Sequence, residues 1–230
     1  MIIGKKYREE PQVKVTNNHA ERQVIEETYR EEIKDRVHSS YLPFKALFDF
    51  CFSLILFIVT LPIVLAAMLA VKLESQGPVF YQQVRVGLMG KHIKVTKLRS
   101  MYIDAEKHGA KWADKDDPRI TRVGHFLRKT RIDELPQLLS VLKGEMSLIG
   151  PRPERPEFTE EFSHEYPGFE QRLRIKPGLS GYAQVHGGYD IDPGQKAKLD
   201  CYYIENFGLK MDAHVFFDTI KTVITGEGAR

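Results

Sequence analysis

The sequence predicts a mixed α/β protein that is mostly helical, with a small β element and one membrane-embedded helix. Three observations lead to this prediction. The 22 residues from Phe50 to Val71 contain no charged side chain, apolar residues alternate between positions 78 and 101, and helical spacing of apolar residues recurs after position 120. A chain of 230 residues can form one globular domain of ordinary size with an appendage.

Charge and cysteine content exclude two classes of protein. The chain has 34 basic and 31 acidic residues, whereas a nucleic-acid-binding surface normally requires a strongly basic domain. Its two cysteines, Cys51 and Cys201, show neither paired spacing nor a metal-binding pattern. We therefore expect no nucleic-acid partner and no disulfide framework, in a reducing, cytosolic setting.

The N-terminal arm, residues 1–43, contains eight basic and eight acidic residues. Ile25, Tyr29, Ile33 and Val37 recur at every fourth position, which predicts an amphipathic helix behind a disordered start. A solvated lead-in to the membrane helix is the simpler interpretation of this arm, and a partner-binding or regulatory role is the alternative.

The apolar segment has the length of a membrane span, because 22 residues at about 1.5 Å per residue match a hydrocarbon core of about 30 Å. Pro62 lies near its middle and removes a backbone hydrogen bond, so a kink is expected. Basic residues flank both ends, namely Arg36, Lys45, Lys72, Arg85 and Lys91. The positive-inside rule therefore selects no orientation, and both a spanning and a re-entrant helix stay open.

The polar region that follows predicts a hairpin and several helices. Val79 and Tyr81 alternate on one predicted strand, Ile93 and Val95 alternate on the next, and Gly87–Gly90 supplies the turn. Asp117-Pro118 breaks the chain before a basic helix over 120–131. A further helix is predicted over 133–143. Helical spacing recurs on either side of a glycine-rich loop over 177–194, at Phe158 and Phe162 before it and at Phe216, Ile220 and Val223 after it.

The pair Asp133-Glu134 is the leading candidate for chemistry. It follows the cationic run 128–131 and precedes the predicted helix, where a helix N-terminus favours phosphate. Neighbouring cations would hold Asp133 ionised, as a carboxylate nucleophile requires. An N-cap at Asp133, with Gly144 just past the helix end, is the alternative explanation. Arg152 stands between two prolines that fix its backbone, which suits bidentate phosphate contact but equally suits a rigid connector.

Other clusters predict no metal site. The acidic run 114–117 lacks the glycine and the terminal glutamate of a calcium loop, so it is expected to be a solvated loop. His164 and His186 each lack a second ligand at helical spacing, so neither predicts a zinc site.

Seven ordered blocks make the chain, from about Lys45 to Glu227, resemble the bacterial sugar transferases, the monotopic polyprenyl-phosphate phosphoglycosyl transferases. The blocks are Gly77-Pro78-Val79-Phe80 with Gln83, Arg85 and Gly87; Lys97-Leu98-Arg99-Ser100-Met101; Asp117-Pro118-Arg119-Ile120-Thr121; Asp133-Glu134-Leu135-Pro136-Gln137; Leu142-Lys143-Gly144-Glu145-Met146-Ser147; Gly150-Pro151-Arg152-Pro153; and Lys176-Pro177-Gly178.

The resemblance implies a monotopic protein of the inner, cytoplasmic membrane whose re-entrant helix breaks at Pro62 and leaves both ends on the cytoplasmic face. It divides the chain into the arm (1–43), the membrane helix (44–75) and a cytosolic catalytic domain with interfacial amphipathic helices (76–230). It further implies transfer of a sugar 1-phosphate from a UDP-sugar to undecaprenyl phosphate, with release of UMP, at the first membrane step of exopolysaccharide, capsule or glycan assembly.

The resemblance also assigns site residues. Asp133 matches the nucleophile that carries the phosphosugar, and Glu134 matches the ligand of Mg²⁺. Phosphate contacts are expected from Arg99, Arg128 and Arg152, and Asp200 matches a further functional carboxylate. Fixed cations and Mg²⁺ suit phosphoryl transfer because they neutralise charge on the transferring group.

The chain departs from the family pattern at two places. Leu61-Pro62 replaces the Ser-Pro of many members, so Thr60 is the hydroxyl that could satisfy the freed backbone. His186-Gly187-Gly188-Tyr189 stands where many members have Asn-Gly-Arg, which leaves one expected arginine absent. Alternatives to the enzyme are a membrane-bound scaffold with a degenerate site and a spanning protein with an extracellular domain. A homodimer is also open.

Overall fold

The structure is a computed structural model that describes residues 33–105, 107, 117–187 and 191–225. Its α-helices are α1 (Tyr41–Glu74), α2 (Arg122–Lys129), α3 (Leu138–Leu142), α4 (Pro156–Glu165), α5 (Tyr182–His186), α6 (Pro193–Glu205) and α7 (Leu209–Thr225). Its strands are β1 (Phe80–Val86), β2 (His92–Leu98), β3 (Ser147–Ile149) and β4 (Gly178–Ser180), and 3₁₀ turns cover Leu88–Gly90, Ile132–Gln137 and Phe169–Arg174. The predicted mostly helical fold with a small β element is confirmed.

The hairpin is also confirmed. β1 and β2 pair antiparallel with Phe80 opposite Leu98 and Val86 opposite His92. Met89 adopts a left-handed conformation, with φ 52°, in the turn that joins them. The short strands β3 and β4 pair in parallel, and Gly150 and Gly178 stand where a Cβ atom would meet backbone atoms at 2.5 Å or less. Glycine is therefore needed where these two chain segments approach each other.

Helix α1 is the one described helix whose length and composition would allow it to cross a membrane. Its buried residues form two groups with intervals of three or four residues, Lys45, Asp49 and Ser53 near its start and Val64, Ala67 and Val71 in its second half. Val64, Ala67 and Val71 share a core cluster with Leu98 of β2 and Leu127 of α2. The opposite face exposes large apolar side chains, including Ile55, Ile58, Val59, Leu65 and Leu69. An exposed apolar surface of this size suits lipid rather than water.

The first turns of α1 are bound to the end of the fold that contains α7 and β3. Lys45 Nζ lies 2.7 Å from Asp212 Oδ2, and both side chains are buried. Asp49 Oδ2 accepts a 2.7 Å hydrogen bond from Ser147 Oγ. These buried polar contacts satisfy charges that would otherwise lie unpaired in an apolar setting.

The last turn of α1 is bound to the same domain from its other side. Arg99, on the segment after β2, donates to the carbonyl oxygens of Gln76 at 2.6 Å and Ser75 at 2.8 Å. The Glu74 carboxylate accepts from the backbone N–H of Val123 at the start of α2, at 3.0 Å. Both ends of the apolar helix therefore contact one folded unit.

Helix α1 continues through Pro62 as one element, so the re-entrant break at this residue stays a prediction. The Thr60 hydroxyl donates to the Leu56 carbonyl at 2.8 Å. The carbonyl that Pro62 leaves without a helical donor is that of Ile58, four residues before it. The Thr60 hydroxyl therefore does not donate to the carbonyl that Pro62 leaves free, as the sequence suggested it could.

Three expectations about local structure need correction or fall outside the described residues. Ile33 and Val37 lie in non-helical backbone, so the predicted amphipathic helix does not include them, while Ile25 and Tyr29 are outside the described residues. The predicted loop over 177–194 contains β4, α5 and the start of α6, with 188–190 outside the description. Of the acidic run 114–117, Asp117 alone is described, and its carboxylate pairs with Arg119 at 2.5 Å.

Candidate active site

A 3₁₀ helix, not an α-helix, carries the Asp133-Glu134 pair. Arg131 adopts a left-handed conformation, with φ 57°, at the end of α2 and turns the chain into the segment Ile132–Gln137. Asp133 is therefore the second residue of this 3₁₀ helix, and the prediction that it caps an α-helix over 133–143 is wrong. Arg131 occupies the N-cap position of this 3₁₀ helix, two residues before Asp133. Gly144 does lie just past the end of α3, with φ 73°.

Two cations bind the Glu134 carboxylate. Lys97, near the end of β2, places Nζ 2.6 Å from Glu134 Oε1, and Arg152 Nη2 contacts the same oxygen. Arg152 Nη1 lies 3.4 Å from Oε2. Burial would raise the pKa of Glu134, but Arg152 and Lys97 outweigh it and hold that pKa well below its usual value. Glu134 is thus a fixed anion at neutral pH.

The pKa of Asp133 is raised to about 6. Burial is the largest cause and the Glu134 charge acts in the same direction, whereas Lys97, Arg128 and Arg152 lower the pKa. The neighbouring cations lower the pKa of Asp133, as the sequence suggested, but burial outweighs them because a side chain that is 6% exposed loses most of its hydration. With a pKa near 6, Asp133 is still mostly ionised at neutral pH, and it is more basic than an exposed aspartate.

The backbone around Arg152 is fixed by buried hydrogen bonds. Arg172 Nη2 donates to the Arg152 carbonyl at 2.7 Å, and Arg85 Nη1 donates to the Pro153 carbonyl at 3.0 Å. The backbone N–H of Val86 donates to the Glu154 carbonyl at 2.9 Å. These contacts, together with the two prolines, determine where the Arg152 guanidinium lies, and so explain how it reaches Glu134.

Asp200 belongs to a buried layer of charged residues, Arg172, Lys196 and Glu154 among them, that contacts the backbone of Arg152 through Arg172. Its Oδ2 accepts from Arg172 Nη2 at 2.6 Å and from Nε at 3.0 Å, and both side chains are almost fully buried. Burial raises the pKa of Asp200, while Arg172 and Lys196 oppose that rise. Glu154 also joins this layer through Lys196 and Arg172. Asp200 therefore contacts the support of Arg152 rather than the dyad itself.

The remaining predicted arginines have different surroundings. Arg128, in the last turn of α2, is half-buried and close enough to lower the pKa of Asp133. The Arg99 guanidinium is bound to the C-terminus of α1 by Ser75 and Gln76. The structure thus brings Arg128 and Arg152 to the dyad, and it gives Arg99 a structural contact that the sequence did not indicate.

Sequence reasoning missed Lys97 and Arg172. Lys97 lies within one of the matched blocks, two residues from Arg99, but a lysine on a strand is ordinarily a solvated side chain. Its half-burial and its contact with Glu134 follow from strand pairing, which brings the end of β2 against the 3₁₀ helix. Arg172 lies outside all the blocks, and no signal in the sequence identifies its partner.

The dyad fits a magnesium ion by its chemistry. Mg²⁺ prefers oxygen ligands and is commonly held by one or two carboxylates together with substrate phosphates. Asp133 and Glu134 are adjacent carboxylates on one turn, and Glu134 Oε2 lies 3.4 Å from Arg152 Nη1, farther than Oε1 lies from Lys97 Nζ. Three cations close to two carboxylates also create a local site for an anion such as phosphate.

The chain is similar in sequence to known proteins. The family model for bacterial sugar transferases matches residues 40–226. The chain is 49% identical over 172 residues to the UDP-N-acetylgalactosamine-undecaprenyl-phosphate N-acetylgalactosaminephosphotransferase of Aeromonas hydrophila. It is 54% identical over 150 residues to a Bacillus subtilis (strain 168) protein named as a candidate undecaprenyl-phosphate N-acetylgalactosaminyl 1-phosphate transferase. It is 39% identical over 173 residues to the UDP-glucose:undecaprenyl-phosphate glucose-1-phosphate transferase of Escherichia coli (strain K12).

The extent of these matches differs between the relatives. The Aeromonas and Escherichia matches cover 74% and 73% of this chain but 41% and 37% of the relatives' own lengths. The Bacillus match covers 63% of this chain and 84% of that protein. The chain thus spans about two fifths of the longer relatives and most of the shorter one.

Proposed function

Since the chain belongs to the bacterial sugar transferase family, we propose that it transfers a sugar 1-phosphate from a UDP-sugar to undecaprenyl phosphate. This transfer would begin the assembly of a bacterial polysaccharide. The observation that carries the proposal is the dyad: a buried Asp133 that ionises near pH 6 stands beside a Glu134 fixed by Lys97 and Arg152. A basic carboxylate next to fixed cations suits nucleophilic attack on a phosphate.

The reaction has two balanced steps. A carboxylate oxygen of Asp133 attacks the sugar-linked phosphorus of the UDP-sugar, the bond to the bridging oxygen breaks, and UMP leaves with that oxygen. The phosphosugar is then held on Asp133 as an acyl phosphate. A phosphate oxygen of undecaprenyl phosphate attacks the same phosphorus, which forms the lipid diphosphate sugar and returns the Asp133 carboxylate. The soluble donor and the lipid acceptor therefore never need to occupy the site together.

The cations of the site position and neutralise the transferring group. Arg172 donates to the Arg152 carbonyl and so holds the Arg152 backbone in place, and Arg128 adds positive charge from α2. Arg152 and Arg128 therefore suit contact with the donor's phosphates. Arg99 can serve phosphate only if it leaves Ser75 and Gln76, which makes it the weakest member of the proposed set. Mg²⁺, held by Glu134, would supply Lewis-acid stabilisation of phosphate charge.

The position of α1 supports a helix that stays on one side of the bilayer. Lys45 and Asp49 near its start, and Glu74 at its end, all contact one folded domain. Because one folded domain contacts the helix at both ends, a spanning arrangement would place parts of that domain on opposite sides of a hydrocarbon core about 30 Å thick. We therefore keep the monotopic, re-entrant topology, with domain limits 1–43, 44–75 and 76–230 and the catalytic domain on the cytoplasmic face of the inner membrane. Exposed Phe126 on α2 and Phe217 on α7 suit interfacial helices.

The names of the relatives suggest which donor to test first. The relatives at 49% and 54% identity are named for N-acetylgalactosamine, and the one at 39% is named for glucose. We therefore propose UDP-N-acetylgalactosamine as the first donor, followed by UDP-N-acetylglucosamine, UDP-glucose and UDP-galactose.

Release of UMP from each donor, in micelles that contain undecaprenyl phosphate and Mg²⁺, tests the function. We expect one donor to give UMP and a lipid diphosphate sugar in equal amounts, and no product when Mg²⁺ is removed. Failure of every donor, with a correctly folded protein, would favour the alternative of a scaffold or regulator with a degenerate site.

A further inference from the structure

Three side chains outside the dyad converge at the contact between α5 and α7. His186 is the last residue of α5, and His214 and Asp218 lie one turn apart on α7. The ligand atoms of all three lie within 4.8 Å of one another. Among the residues that the structure describes, this is the group of histidine, cysteine and carboxylate side chains whose geometry could hold a metal ion.

The two distances from Asp218 to the histidines match those between neighbouring ligands of a tetrahedral zinc site. Asp218 Oδ2 lies 3.4 Å from His186 Nε2 and 3.3 Å from His214 Nε2. With zinc bonds of about 2.0 to 2.2 Å, neighbouring ligand atoms of a tetrahedron are about 3.3 to 3.6 Å apart. A direct N–H···O hydrogen bond is normally about 2.7 to 3.2 Å long, so the group is spaced more as a ligand set than as hydrogen-bonded pairs.

The orientation of His186 is also that of a ligand. Its Nδ1 lies 3.2 Å from the Tyr182 carbonyl, one turn earlier in α5. If Nδ1 carries the proton and donates to that carbonyl, Nε2 presents its lone pair towards Asp218 and His214. Metal-binding histidines commonly use the second ring nitrogen in this way. The ring is further fixed by stacking on Tyr182, with centroids 4.1 Å apart, and on His214, at 5.3 Å.

We propose that His186, His214 and Asp218 bind a divalent transition metal, with Zn²⁺ as the preferred ion. Two imidazoles and one carboxylate suit Zn²⁺ better than Mg²⁺, which favours oxygen ligands. The site is separate from Glu134, because none of its three ligands belongs to the elements that carry the dyad. All three residues are at least partly exposed, which leaves the fourth position for water. The metal would join α5 to α7 and fix the end of α5.

Zinc binding to the full chain, purified without a histidine tag and freed of metal by a chelator, tests this proposal. Competition with a chromophoric chelator measures affinity, and elemental analysis measures the number of ions. We expect one Zn²⁺ per chain with micromolar or tighter affinity, and Co²⁺ in its place should show visible bands typical of tetrahedral coordination. Zn²⁺ should also raise the melting temperature, since it binds the folded chain.

Matched variants decide between this site and any other. His186→Gln, His214→Gln and Asp218→Asn should each weaken Zn²⁺ binding at least about tenfold and remove most of the rise in melting temperature. His164→Gln, at an exposed histidine of α4, and Glu134→Gln should bind Zn²⁺ as the unchanged chain does. Absence of saturable binding, or equal binding by the three ligand variants, would overturn the proposal. Because binding is measured without donor or acceptor, the result does not depend on the transferase reaction.

Discussion

Lys97 Nζ lies 2.6 Å from Glu134 Oε1, and this contact joins the end of β2 to the 3₁₀ helix that carries the dyad. The same lysine also lowers the pKa of Asp133. One cation thus acts on both carboxylates, with Arg152 acting on Glu134 from the other side.

Lys97→Met tests the importance of this cation. We expect kcat/KM to fall by about 100-fold, as is typical when one fixed group that stabilises transition-state charge is removed. Lys94→Met changes an exposed lysine of the same strand and should leave the rate within about twofold of the original, as surface substitutions usually do. Steady-state UMP release measures both variants. A Lys97→Met enzyme as active as the Lys94→Met control would show that Arg152 alone suffices.

Asp133→Asn removes the proposed nucleophile. We expect turnover to fall by at least about 1,000-fold, because the amide cannot form the acyl phosphate. In the unchanged chain, donor without acceptor should add the mass of one phosphosugar to the intact protein, and this adduct should be absent from the variant. Asp104→Asn, at an exposed turn residue, is the control for charge loss. A normal rate of UMP release from Asp133→Asn would exclude this residue as nucleophile.

The pH dependence of kcat/KM follows from the raised pKa of Asp133. The reaction needs the ionised form, so the rate should be fully present above the pKa and should be lost as the pH falls through about 6. An ordinary exposed aspartate would place this loss near pH 4. Since Lys97 lowers the pKa of Asp133, Lys97→Met should move the acid limb to higher pH. An acid limb that stays near pH 4 in both proteins would contradict the role of burial.

The buried pair of Arg172 and Asp200 is expected to matter for stability as well as for the position of Arg152. Arg172→Met leaves the Asp200 charge unpaired and should lower the free energy of unfolding by about 3 to 5 kcal/mol. Replacing both residues, in Arg172→Met/Asp200→Leu, should cost less than Arg172→Met alone, because the Asp200 charge is then removed together with its partner. Arg174→Met on the same 3₁₀ helix is the control. Chemical unfolding in micelles measures the series, and equal losses in the single and double variants would argue against charge burial as the cause.

Cysteine labelling tests the topology of α1. His38→Cys and Gln76→Cys, placed singly in a chain without Cys51 and Cys201, flank the helix at exposed positions. For a helix that stays on the cytoplasmic side, neither cysteine should react with a membrane-impermeant maleimide in intact spheroplasts, and both should react once the membrane is opened. Asp104→Cys reports the catalytic domain in the same assay. Labelling of one flank from outside would instead indicate a spanning helix.

Elements determined by local pattern could be predicted from the sequence, and those determined by tertiary contacts could not. The hairpin follows from alternation around Gly87–Gly90, and the apolar helix follows from composition. The 3₁₀ helix at Asp133 depends on a left-handed Arg131, which has no distinctive signal in the sequence. A strand lysine such as Lys97 becomes a site residue only when β2 packs against that helix. The Asp133-Glu134 pair could be singled out from its place after a cationic run, but the pKa of Asp133 depends on burial, which spacing does not report.

Helix α1 is a component of the hydrophobic core as much as a contact with lipid. Val64, Ala67 and Val71 fill one side of the cluster that contains Leu98 and Leu127, and each of the five is at most 7% exposed. A truncated protein that began after Glu74 would leave Leu98 and Leu127 facing water. Ser75, which accepts a hydrogen bond from Arg99, would then be the first residue of the chain and would no longer be held by the helix. Shortening the chain to obtain a water-soluble protein would therefore remove part of the interior of the folded region that follows α1.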